Sequence, residues 1–315
     1  MLHTAMGPAI ASALGNASVI EIMVNPDGAL RLDTLGEGRV DTKVRLEPAQ
    51  VERIIRLVAA HARGEVHGDK PIVSAELPPY GEGAGERFEG VLPPVSTAAC
   101  FSIRKPAARI YTLLDYVTDG IMSAEAARLL SLAVIQRKNI LVVGGTSSGK
   151  TTLANALLAE MAHLDERVIL IEDTRELQCA APDLVALRTR AGSVTMADLV
   201  RSTLRLRPDR IIVGEVRGPE ALDMLKAWNT GHPGGIATVH ANSAVSALYR
   251  IEQLIQEAVV SVPRPLIAGA IDMIIFIAGR GPARRVETVL SLAGSNPDGS
   301  YALSDITPQT QPQGE

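Results

Sequence analysis

One stretch of eight residues restricts this chain more than any other: Gly144-Gly-Thr-Ser-Ser-Gly149-Lys150-Thr151. Its glycines let the backbone curl until successive N–H groups point inward at one centre. A short apolar run, Asn139-Ile-Leu-Val-Val143, precedes it, and Leu153, Ala154, Leu157, Leu158 and Met161 follow at helical spacing. Strand, curled loop and helix N-terminus, in that order, make a cradle for phosphate oxygens. Lys150 supplies a mobile cation for β- and γ-phosphates and the Thr151 hydroxyl a ligand for Mg²⁺. Gly144, Gly145, Thr146, Ser147, Ser148, Gly149 and Thr152 complete the expected nucleotide-binding set.

From Ile121 onward the chain keeps repeating strand, loop and helix. Val168–Ile171, Ile211–Val213 and Ile236–Val239 read as further short strands. Between them Thr195 resembles an N-cap with Asp198 three residues on, and Gly218-Pro219 opens a helix closed near Gly231. Another helix is expected from about Ser243 to Ala258, then a hairpin from Ile271–Ala278 and Val286–Leu292. This alternation predicts a largely parallel sheet with helices on both faces.

The first hundred residues have a different texture. Val19–Val24 and Ala29–Leu32 read as strands about an Asn25-Pro-Asp-Gly28 turn. Val51, Ile54, Ile55 and Val58 mark a surface helix introduced by Pro48. Short β-like pieces with Gly/Pro punctuation fill Pro71 to Pro106. The expected division is a small α/β domain over 1–105, a linker over 106–120, an α/β nucleotide domain over 121–306 and a disordered tail over 307–315.

Composition narrows the function classes. The 31 Lys and Arg against 35 Asp and Glu give a net charge of −4, which argues against a protein that coats nucleic acid. Three Phe, five Tyr and one Trp leave little for stacking single-stranded bases, so no stable direct nucleic-acid binding is expected. Cys100 and Cys179 have no metal-ligand spacing, which suits a reducing compartment. The start lacks the positive region of a signal peptide, and the apolar stretch Leu266–Gly279 is too short to span a bilayer and holds Asp272. A soluble intracellular protein is the expectation.

Ligands of α/β sheets gather at the C-terminal ends of the strands. Here strand 168–171 runs into Glu172-Asp173-Thr-Arg-Glu176, strand 211–213 into Gly214-Glu215-Val-Arg217, and strand 236–239 into His240-Ala-Asn242. Singly these also read as strand-end acids, a solvated loop acid and a structural histidine. Sharing one sheet edge with the phosphate loop, the acids are suited to hold Mg²⁺ through water or polarise an attacking water. The histidine is suited to sense the γ-phosphate.

Gly144–Thr152, Ile171–Glu176, Arg207–Arg217 and Thr230–Asn242 resemble the Walker A, Asp box, Walker B and His box of the secretion traffic ATPases. Leu92-Pro-Pro-Val and Phe101–Pro106 are similar to the conjugal-transfer, TrbB-like branch of type IV secretion. The absence of a four-cysteine module agrees with that branch. The resemblance implies a RecA-like P-loop domain preceded by a PAS-like α/β domain, in a homohexamer with ATP between the two domains. It implies catalytic roles for Lys150, Glu176, Glu215 and His240, and Mg²⁺ held by Thr151 and, through water, Glu215, with Glu172 and Asp173 in support. Arg87 and Arg104 match first-domain arginines that approach the nucleotide. Inner-membrane components of a secretion or conjugation channel are the implied partners, with the protein at the cytoplasmic face of the bacterial inner membrane, attached peripherally.

Three alternatives stand beside this reading. A type IV pilus or type II secretion ATPase, for assembly or retraction, shares the motifs. A RecA-like nucleic-acid motor shares the sheet but meets the charge argument above. A GTPase switch lacks its guanine-reading Asn-Lys-x-Asp anywhere in the chain.

Overall fold

A computed structural model describes residues 2–35, 37–78, 85–106, 110–190 and 192–308. The chain divides into two compact units, Met1–Ala108 and Arg109–Glu315.

In the first unit the elements are α1 (Leu2–Gly15), β1 (Val19–Val24), β2 (Ala29–Thr34), β3 (Gly38–Arg45), α2 (Pro48–His61), β4 (Ile72–Glu76), β5 (Arg87–Val91) and β6 (Cys100–Arg104). The strands pair antiparallel in the order β3-β2-β1-β6-β5-β4. Alternation sends Ile22, Val24, Phe88, Phe101 and Ile103 to a buried face, where they meet Ile10 and Leu14 of α1 and Val51, Ile54, Ile55 and Val58 of α2. Phe88 and Phe101 stack with ring centroids 5.3 Å apart. Helix α1 was not evident from sequence because Gly7, at φ +75°, and Pro8 interrupt its pattern.

The second unit contains α3 (Leu113–Thr118), α4 (Ala124–Ile135), β7 (Ile140–Gly144), α5 (Lys150–Ala159), β8 (Arg167–Glu172), β9 (Asp183–Arg188), α6 (Met196–Thr203) and β10 (Arg210–Val216). Next come α7 (Glu220–Asn229), β11 (Ile236–His240), α8 (Ala244–Gln256), α9 (Arg264–Ala270), β12 (Met273–Ala278), β13 (Arg285–Ser295) and β14 (Tyr301–Asp305). The sheet order is β14-β13-β12-β7-β11-β10-β8-β9. Pairs from β12 through β9 are parallel, and β13 and β14 close the other edge antiparallel. Helices α6 to α9 pack on one face around Val143, Ile171 and Val213; α3 to α5 pack on the other around Val142, Leu170 and Ile212. Strands buried on both faces read as continuous apolar runs, which is why they were legible. The Thr195–Asp198 capping box starts α6 as the sequence suggested.

Two expected boundaries move. The proposed 106–120 linker contains α3, capped by Thr112 and Asp115, and buries Leu113 and Tyr116 in the second unit's core. One and a half turns are too short to show helical periodicity. Residues 107–109, also placed in that linker, lie outside the described residues. Thr307, placed at the head of the expected tail, is instead bonded to β13. The Thr307 hydroxyl accepts from the Val289 N–H at 2.8 Å, and the Ile306 N–H donates to the Val289 carbonyl at 2.9 Å. The remainder of that tail, 309–315, lies outside the described residues.

Candidate functional site

The phosphate loop joins β7 to α5, and its shape follows from two glycines and one strained serine. A Cβ at Gly144 would stand 2.4 Å from the Ile277 carbonyl oxygen and from Ser148 Oγ, so only glycine fits there. Ser147 at φ +63° and Gly149 at φ +97° are left-handed, which turns the backbone back on itself before α5 starts. Buried Ser148 closes the turn, its hydroxyl donating to the Gly145 carbonyl at 2.9 Å. Thr146 and Ser147 form the exposed lip, and Thr152 continues the first turn of α5. Lys150 Nζ lies over the loop, 3.1 Å from the Gly145 carbonyl oxygen.

The sheet edge brings both acids named from sequence to this loop. Glu176 Oε2 accepts from the Thr151 hydroxyl at 3.3 Å. Glu215 Oε1 is 4.0 Å from Lys150 Nζ. The other Glu215 oxygen accepts from Arg217 Nε at 2.7 Å and also from Arg217 Nη2. Arg217 in turn stands 4.0 Å from Asp173, whose carboxylate accepts from the Thr189 hydroxyl at 2.9 Å. The β11 register sets His240 beside Gly144, with its residue exposed. Two contacts thus tie the acids to the start of α5, Thr151 to Glu176 at 3.3 Å and Lys150 to Glu215 at 4.0 Å, and His240 ends β11 beside Gly144.

Glu172 takes a different place from the one the sequence suggested. It is 4% exposed, and its Oε1 accepts from the backbone N–H groups of Glu176 at 2.9 Å and Leu177 at 2.7 Å. Its carboxylate fastens the loop that carries Glu176 instead of facing a metal. Burial pushes its pKa above the usual carboxylate value, opposed by those two N–H donors. Among the described residues, no group of three or more His, Cys, Asp and Glu is arranged to hold a metal ion. The Thr151 hydroxyl and the Glu176 carboxylate that meets it are oxygen donors of the kind a hard divalent cation takes.

Arg87 and Arg104 are directly opposite each other on β5 and β6, with Glu21 of β1 opposite Arg104 on its other side. Like charges facing across a sheet are unfavourable by themselves. Two residues near the phosphate loop carry little signal of their role in the sequence. Asn155 is buried inside α5 and bonds to the Glu176 loop; its one signal was a lone amide in an apolar helical stripe. Arg217 lay within a motif, but nothing in the spacing said that it would grip Glu215.

Residues 39–279 match the type II/IV secretion system protein family. The chain is 47% identical over 295 residues to the conjugal transfer protein TrbB of Rhizobium radiobacter, covering 93% of this chain and 90% of that one. It is 34% identical over 311 residues to the type IV secretion system protein PtlH of Bordetella pertussis, covering 87% and 90% respectively. Its fold is similar to the crystal structure of the pilus retraction motor PilT with bound ADP, with TM-score 0.64 and 20% identity, over 96% of this chain and 82% of that one. The chain belongs to the type II/IV secretion system protein family, among its TrbB-like type IV secretion ATPases.

Proposed function

We propose that this protein hydrolyses ATP to power conjugal DNA transfer through a type IV secretion system, by driving pilus biogenesis or substrate passage. The observation that carries the chemistry is the junction of four groups: a curled phosphate loop, Lys150, the Thr151–Glu176 contact and Glu215. The near-full-length likeness to a conjugal transfer protein supports the biological setting. In this reading the second unit is a RecA-like P-loop domain and the first a PAS-like domain.

The loop N–H groups and the α5 N-terminus bind the β- and γ-phosphates, and Lys150 moves from the Gly145 carbonyl to their oxygens. Mg²⁺, when bound with the nucleotide, neutralises charge across the phosphate oxygens; Thr151 would hold it, with Glu215 through water. Glu176 polarises the attacking water and takes its proton. Asp173 keeps Arg217 near Glu215, and His240 reports the state of the γ-phosphate. Arg104 and Arg87 are the first unit's candidates for cations offered to the nucleotide.

The working form is a homohexamer of cyclic symmetry whose interfaces are heterologous. No helix among the described residues is long and apolar enough to cross a membrane. Peripheral attachment at the cytoplasmic face of the inner membrane, through the membrane components of the channel, completes the reading.

Turnover and mass measured together test it. Wild-type protein is expected to hydrolyse ATP at a per-subunit rate that rises with concentration as light scattering reports hexamers. Lys150→Ala is expected to lose hydrolysis, and Arg104→Ala to lower turnover with the fold intact. A protein that stays monomeric with concentration-independent turnover would contradict the hexamer, and a Lys150→Ala variant with near-normal turnover would contradict the site.

A further inference from the structure

We infer that Asn155 is a positioning residue: it locks the loop carrying Glu176 onto the helix that begins the phosphate site. Thr151 and Asn155 are four residues apart on α5 and therefore share a face. Thr151 meets the Glu176 carboxylate at 3.3 Å, and Asn155 meets the main chain of the same loop. The Asn155 amide is used at both ends. Nδ2 donates to the Glu176 carbonyl at 3.1 Å, and Oδ1 accepts from the Gln178 N–H at 2.9 Å.

This is an expensive choice of residue unless it has such a task. Asparagine is a poor helix former, and here it is 2% exposed between Ala154 and Ala156. A buried amide must find partners for donor and acceptor alike, and both partners lie on one short segment. From the other side, Glu172 accepts from the N–H groups of Glu176 and Leu177. The main-chain N–H and C=O of Glu176 and the N–H groups of the next two residues are thus all engaged by two buried side chains. Glu176, Leu177 and Gln178 themselves belong to no strand or helix. Leu177 adds a buried apolar anchor in the core beside α5.

The consequence is a fixed distance. Lys150, Thr151 and Asn155 ride on one helix, so the group that grips phosphate and the group that activates water are held to a common frame. Displacing a reacting group by about 1 Å can cost on the order of a hundredfold in rate. The inference rests on the proposed role of Glu176, and it adds what holds that carboxylate in place. A second buried asparagine supplies a comparison. Asn139, at the opposite end of the sheet, accepts from the Gly234 and Gly235 N–H groups at 2.8 and 2.9 Å and donates to the Ala270 carbonyl at 2.7 Å. It makes the same kind of lock with no phosphate loop beside it.

A double-mutant cycle separates positioning from mere support. Asn155→Ala is expected to lower kcat about ten- to a hundredfold, with ATP affinity changed less than about threefold. In a Glu176→Gln background the same substitution should change the residual rate less than about threefold, because the group it positions has already lost its function. Asn139→Ala should change both backgrounds by equal factors. Equal factors for Asn155→Ala would overturn the inference while leaving the role of Glu176 standing. Full turnover in Glu176→Gln would overturn that role, and the inference with it. Should Asn155→Ala fail to fold, amide exchange of the unaltered protein decides: Glu176, Leu177 and Gln178 should be protected together, by roughly a hundredfold or more over an open loop. Exchange of the three amides at open-loop rates would overturn the lock.

Discussion

The loop after β8 and the loop after β10 each deliver one glutamate to the same phosphate site, and they do so by opposite means. Glu176 is delivered by a segment whose main chain is gripped by two buried side chains, Glu172 and Asn155. Glu215 stands on the end of a strand and is gripped by Arg217, whose side chain is 55% exposed. Buried hydrogen bonds are costly to leave unmade, whereas an exposed ion pair contributes little to stability and weakens in salt. One acid is therefore fixed by the core and the other is tuned by surface charge. A group that must meet a water molecule at a set distance benefits from the first arrangement. A group that responds to the charge of a nucleotide benefits from the second.

The largest break in this comparison should come from Glu172→Ala. It leaves one buried and one part-buried N–H group without acceptors, at up to about 1–3 kcal/mol each. The unfolding temperature should fall by roughly 4–12 °C, and turnover should fall with it. A variant as stable and as active as the wild type would show that the Glu176 loop does not depend on Glu172.

Glu172→Gln sharpens the same point with a smaller effect. It keeps an acceptor oxygen and removes the charge, so stability near neutral pH should change by less than about 1.5 kcal/mol. The sign of its pH dependence follows from burial. The Glu172 pKa is raised in the folded protein, so the folded state holds the proton more firmly than the unfolded chain does. Its favourable contribution is complete below the unfolded-state pKa and is lost as pH rises through the folded-state pKa. The stability of Glu172→Gln relative to wild type should therefore improve from acid to neutral pH, as followed by thermal unfolding across that range. A constant difference would contradict the burial argument.

Arg217→Ala should have the smallest effect on the fold, within about 1 kcal/mol in thermal unfolding, because the arginine it removes is more than half exposed. Its effect belongs to turnover: a few-fold loss at low salt that shrinks as ionic strength rises past the Debye scale of the pair. A loss that persists unchanged in high salt would place Glu215 under the same kind of buried control as Glu176.

The sequence revealed the chemistry of this site more readily than its mechanics. Apolar runs such as Ile140–Val143 and the spacing of Gly144, Gly149, Lys150 and Thr151 stated the strand, loop and helix directly, because those positions admit few other residues. Helix α3 and strands β9 and β14 were hidden by shortness, or by half-exposed positions that carry no clear period. Glu172 was misplaced for a different reason. An acid at a strand end looks the same in sequence whether it faces a metal or turns back to accept from N–H groups four and five residues later. Asn155 had only its oddness among leucines and alanines to mark it.

The two glutamates can be set against each other in one experiment: ATP binding and turnover measured side by side for Glu176→Gln and Glu215→Gln. Glu176→Gln should bind ATP like the wild type and hydrolyse it about a hundredfold more slowly or worse, the scale of a lost general base. Glu215→Gln should keep more of its turnover. If Glu215→Gln shows the hundredfold loss with binding intact while Glu176→Gln turns over normally, the assignment of the pinned glutamate as the base is contradicted.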